Sequence, residues 1–125
     1  MRTFLSRHYP LIRRAAGPGA GLVAAAIAVL SLLPGDELPE VHLSDKVEHV
    51  IAYAVLATLV TLWLGPRRAG RALLVVMAYG VGMEVAQALI GTGRTPSVLD
   101  AGADLVGAGI GIGVAMLVDR FAVAG

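Results

Sequence analysis

The sequence predicts an all-α membrane domain: a polytopic bundle of four transmembrane helices with both termini in the cytoplasm. Three observations predict it. First, the 125 residues are 57% hydrophobic and 15% charged, with a mean hydropathy of +0.78. Ordinary soluble domains are roughly 45–50% apolar and about 25% charged, and a soluble fold of this size exposes too much surface to hide such an excess. Second, the chain holds four apolar runs, each within the roughly 17–25 residues needed to cross a hydrocarbon core of about 30 Å. Third, the basic residues sort to one side of the bundle those runs would make.

Residues 1–16 form a basic cytoplasmic tail with Arg2, Arg7, Arg13 and Arg14. Helix one is expected at about 17–33, an uncharged run at the lower length limit, stopped by Pro34 and Gly35. A basic start before an apolar stretch also resembles a signal peptide, and Arg13-Arg14 resembles a twin-arginine signal. No small-x-small cleavage site follows Leu33, and three further spans follow, which favours a span.

An acidic loop covers Asp36–Leu43. Ser44 can cap helix two, expected at about 44–64, with Trp63 as an interfacial anchor at its inner end. Gly65–Gly70 is a short loop holding Pro66, Arg67 and Arg68. Helix three is expected at about 71–90 and Gly91–Pro96 is a turn. Ser97 opens helix four, expected at about 97–118, and 119–125 is a second cytoplasmic tail. Gly107/Gly111 and Gly109/Gly113 are two small-xxx-small pairs, which let helices approach closely in lipid. Gly80 and Gly82 suit similar packing near Glu84.

With four spans, eight basic residues share the side of the termini, whereas only Lys46 and Arg94 fall on the other. The positive-inside rule then places both termini in the cytoplasm. The chain has no cysteine, which excludes disulfides, thiolate catalysis and cysteine-ligated metals. No basic stretch is interleaved with aromatics, so no nucleic-acid partner is expected. The expected partner is the lipid bilayer, and no cofactor is expected. A homo-oligomer is compatible with helices this short.

Charged groups inside a membrane helix cost about 2.5–3.5 kcal/mol each near the bilayer centre on insertion scales. Here they gather at the outer end. Asp45, Glu48 and His49 lie in the first turns of helix two, Glu84 and Gln87 near the end of helix three, Arg94 in the following turn, and Asp100 and Asp104 in the first turns of helix four. Asp45 and His49, and likewise Asp100 and Asp104, are four apart and share a helix face. Glu84 lies about 9 Å from its helix end at 1.5 Å per residue.

Each residue also has a structural explanation. Asp45 and Asp100 suit the positive end of a helix dipole, and Ser97 with Asp100 resembles a capping box. Glu48 suits headgroups and water, and a lone histidine is commonly a satisfied packing residue. Two carboxylates side by side would need Arg94, Lys46, a proton or a metal ion to coexist in low dielectric. Asp45, His49, Glu84, Gln87, Arg94, Asp100 and Asp104 are therefore the candidate ligand-binding residues. Catalytic and metal roles stay unassigned.

These residues also carry a family resemblance. Asp45-Lys46-Val47-Glu48-His49-Val50-Ile51-Ala52-Tyr53 resembles the D-K-x-x-H-x-x-x-Y opening of the VanZ-like family. Gly82-Met83-Glu84-Val85-Ala86-Gln87 resembles its E-x-x-Q element, and Gly93-Arg94-Thr95-Pro96-Ser97-Val98-Leu99-Asp100 its R-x-x-S-x-x-D element. Asp104 and Gly107 resemble its D-x-x-x-N-x-x-G element, with an acid where the family usually has asparagine. The likeness runs from about Leu32 to Leu117. It implies a multi-pass protein of the bacterial plasma (inner) membrane. The family's namesake is associated with resistance to the glycopeptide antibiotic teicoplanin, a cell-envelope phenotype.

The leading expectation is a cell-envelope membrane protein that binds a polar, glycan or lipid-linked ligand at its outer face. An intramembrane enzyme acting on envelope lipids, a small proton-coupled transporter or channel, and a module folded around a buried polar network remain open beside it.

Overall fold

The computed structural model describes residues 3–33, 44–91, 93 and 97–124. Four helices carry the fold: α1 (Phe4–Leu32), α2 (Asp45–Leu64), α3 (Ala69–Ile90) and α4 (Val98–Ala124). All four are long and apolar enough to cross a membrane. A short 3₁₀ turn, Pro66–Arg68, joins α2 to α3. The bundle has a basic end, where α1 begins and α4 finishes, and an acidic end, where α2 and α4 begin.

Local chemistry sets the helix ends. The Ser44 hydroxyl accepts the Val47 N–H at 3.2 Å and starts α2. Gly65 then turns the chain at φ +100°, a conformation glycine adopts without a Cβ penalty. Gly91 closes α3 in the left-handed region, its N–H returning to the Gln87 carbonyl. The Ser97 hydroxyl accepts the Asp100 N–H at 3.2 Å at the start of α4.

Two helices outrun the sequence expectation. Helix α1 starts at Phe4, capped by the Thr3 hydroxyl, instead of near residue 17. Helix α4 continues to Ala124 instead of stopping near 118. Counting apolar residues finds only the part of a helix that must sit in hydrocarbon. A helix of 29 residues is about 44 Å long at 1.5 Å per residue, well beyond a core of about 30 Å. The extra turns hold each other: the Tyr9 hydroxyl donates to Asp119 at 2.5 Å, and Arg13 Nε donates to the Leu62 carbonyl at 2.8 Å near the end of α2. Arg13 thus satisfies a carbonyl near the end of a helix, where orphan acceptors accumulate.

The packing is that of a membrane bundle, with small residues inside and large ones outside. Ala57, Ala72, Ala108 and Ala115 are fully buried, whereas Leu22, Leu74, Leu89 and Val106 are exposed. Helices α2 and α4 form the tightest pair. A methyl group added at Gly107 would overlap the Val50 carbonyl and lie 3.1 Å from the Ala54 amide; one added at Gly111 would lie 2.9 Å from the Thr58 amide. The Thr58 hydroxyl bonds to the Ala54 carbonyl at 2.7 Å and reaches the Gly111 carbonyl at 3.2 Å. The other expected pair, Gly109/Gly113, is exposed and meets nothing within 4 Å. One glycine pair makes a helix contact and the other faces outward, because the two lie on different faces of α4.

Trp63 is exposed at the basic end, with Gly17 of α1 making room for its indole. The expected acidic loop at Asp36–Leu43 lies outside the described residues.

Candidate functional site

The glycine contact of α4 on α2 draws the first turns of the two helices together. There His49 Nδ1 lies 2.7 Å from Asp104 Oδ1. His49 Nε2 lies 3.9 Å from Asp45 Oδ1, one turn earlier on α2. Asp104 is 1% exposed, as deep as most of the apolar core. An acid this deep needs a fixed partner, and the imidazole supplies it for one oxygen.

Two small adjustments make the dyad possible. The Tyr53 ring runs parallel to the His49 ring, 4° apart in plane with centroids 6.2 Å apart, and braces it from the next turn. Gly80 of α3 lies against Asp104: a Cβ there would sit 2.9 Å from Asp104 Oδ2 and 3.2 Å from the Tyr53 ring. Glycine at position 80 thus lets α3 approach the acid.

Lys46 answers for the acids nearer the surface. Its ammonium pairs with Asp100 and lies 3.5 Å from Asp45. Of the countercharges the sequence offered, Lys46 is seen in place. Asp100 uses its carboxylate on Lys46 and its backbone N–H on Ser97, so the half of the capping box made by the serine forms.

Glu84 of α3 completes the cluster. One ligand-capable atom each from His49, Glu84 and Asp104 lie within 4.8 Å of one another, and the same holds for Asp45, His49 and Asp100. His49 belongs to both groups. Glu84 Oε2 and Asp104 Oδ2 are buried with no hydrogen-bond partner among the described residues.

Five of the seven candidates therefore converge: Asp45, His49, Glu84, Asp100 and Asp104. Gln87 points elsewhere. It is buried, and its amide donates to the Ser31 carbonyl of α1 at 2.8 Å, tying α3 to α1. Arg94 lies outside the described residues. Tyr53 and Lys46 belong to the site but were not among the candidates. Tyr53 follows His49 by four residues, so the helical spacing that paired Asp45 with His49 marks it too.

An all-helical chain with four membrane-length helices and its charged core residues at one end is a small multi-pass membrane protein. It belongs to the VanZ/LLP1 family, whose model matches residues 9–119. No curated protein and no solved structure matches the chain.

Proposed function

We propose that this VanZ-family protein resides in the bacterial plasma membrane with both termini in the cytoplasm, and that its acidic end binds a polar or lipid-linked ligand of the cell envelope at the outer face. The observation that carries this reading is the convergence of His49, Glu84 and Asp104 from three helices, with a carboxylate oxygen of Glu84 and one of Asp104 unanswered among the described residues. Uncompensated polar groups in hydrocarbon are expensive, and groups placed there by default mark a site of use. Carboxylates accept from hydroxyl or cationic groups, and an imidazole N–H can donate to a hydroxyl oxygen, so the set suits hydroxyl-rich or cationic groups. The orientation follows from the eight basic residues on the side of the termini. A link to glycopeptide resistance rests on family membership.

The test uses a teicoplanin-susceptible bacterial host expressing the chain. Wild type is expected to lower susceptibility, and Glu84→Gln is expected to return it to that of the empty vector at equal membrane abundance. Protection by Glu84→Gln and His49→Ala equal to wild type would separate the site from the phenotype.

One observation favours a second reading, an intramembrane enzyme acting on envelope lipids. A histidine held by a buried carboxylate at 2.7 Å is the arrangement that orients a general base. Turnover of envelope lipids by the purified protein, abolished by His49→Ala, would establish it; no turnover across such lipids would remove it.

A further inference from the structure

We infer that His49, Glu84 and Asp104 bind a divalent metal ion of the zinc class, with Asp45 orienting the imidazole. The inference deepens the proposed outer-face site and rests on the reading of the acidic end as a binding site.

The cluster is not acidic alone. It joins one imidazole to two carboxylates, and their ligand-capable atoms lie within 4.8 Å of one another, a spread that a single ion can bridge. Imidazole with carboxylate oxygens suits zinc and its first-row neighbours, whereas calcium and magnesium favour oxygen alone.

Asp104 is 1% exposed, and its Oδ2 has no hydrogen-bond partner among the described residues; Glu84 Oε2 is buried in the same condition. An orphaned carboxylate oxygen in a membrane interior is a strong demand for a cation.

Charge balance points the same way. Lys46 pairs with Asp100 and lies beside Asp45, which among the described residues leaves Glu84 and Asp104 with the imidazole. One divalent ion neutralises both carboxylates and takes the neutral imidazole as a third ligand. Metal-bound histidines generally give their second ring nitrogen to a carboxylate. With Nδ1 toward the ion, His49 Nε2 faces Asp45 Oδ1 at 3.9 Å. Three protein ligands leave a coordination position open, as in zinc sites that meet a water or a substrate oxygen. That position suits an oxygen of an envelope ligand.

The experiment is a Zn²⁺ titration by calorimetry on the full chain, stripped with EDTA and held in nanodiscs of neutral lipid. Wild type is expected to bind one ion per chain. Glu84→Gln and Asp104→Asn are each expected to weaken binding by more than about tenfold, and Asp45→Asn, acting through His49, by about tenfold with unchanged melting of the metal-free protein. Glu84→Gln, half-buried and close to its helix end, carries the test should Asp104→Asn not fold. No saturable binding below about 100 μM, or wild-type affinity in folded Glu84→Gln, overturns the inference. Loss of the envelope phenotype in Glu84→Gln at wild-type Zn²⁺ affinity also overturns it, while leaving the outer-face site standing. Zn²⁺ binding that Glu84→Gln abolishes without changing the phenotype upholds the metal and removes that reading.

Discussion

His49 on α2 and Asp104 on α4 meet at 2.7 Å across the tightest helix contact of the bundle. The meeting depends on residues below it. Gly107 and Gly111 bring the α4 backbone onto Val50, Ala54 and Thr58 of α2, and the dyad forms at the end of that contact.

The dyad should be energetically coupled. Hydrogen bonds to charged groups contribute about 1.5–3 kcal/mol in soluble proteins, whereas double-mutant cycles inside a membrane protein average about 0.6 and reach about 1.7 kcal/mol. A cycle over His49→Ala and Asp104→Ala, read by reversible unfolding in mixed micelles, should give about 1–2 kcal/mol.

Four glycines of α4, Gly107, Gly109, Gly111 and Gly113, should divide into two classes. Alanine at Gly107 or Gly111 would drive a methyl into α2 backbone and should destabilise by about 1–3 kcal/mol, the usual range for overpacking. Alanine at Gly109 or Gly113 meets open space and should be neutral or stabilise by up to about 1 kcal/mol through helix propensity. Thermal melts of the four single variants check this.

Gln87 should behave as a structural residue. Its amide holds the Ser31 carbonyl, so Gln87→Ala should lose about 0.5–1.5 kcal/mol of stability and retain wild-type Zn²⁺ affinity. A stability assay beside the metal titration separates the two effects.

Orientation is open to direct labelling because the chain has no cysteine. A membrane-impermeant maleimide should label Ser44→Cys on intact spheroplasts. It should label Arg68→Cys only after the membrane is permeabilised. Both positions are exposed in the fold.

Much of this architecture was legible in the sequence because hydrocarbon imposes its own length on an apolar run. The four helices and the Ser44 cap follow from that rule and from ordinary capping chemistry. The true start of α1 does not. Its first turns are held by Tyr9 and Arg13 through Asp119 and Leu62, partners on other helices. The gathering of Asp45, His49, Glu84, Asp100 and Asp104 was legible, since costly residues at one end need company. Its pairing was not. Helical spacing puts Gln87 near Glu84, yet only the placement of α1 sends the Gln87 amide to Ser31. Likewise, spacing could not tell that Gly107 and Gly111 face α2 while Gly109 and Gly113 face outward.

The most direct test of the central claim, that His49 and Asp104 share one buried site, is ¹⁵N NMR of histidine-labelled protein in nanodiscs. Spectra of wild type, Asp104→Ala and, as a control at the basic end, Asp119→Ala would be compared, with the His49 signals assigned by their loss in His49→Gln. A large shift of His49 Nδ1 in Asp104→Ala, with no change in Asp119→Ala, is the predicted result. His49 nitrogens that do not respond to the loss of Asp104 would contradict the account.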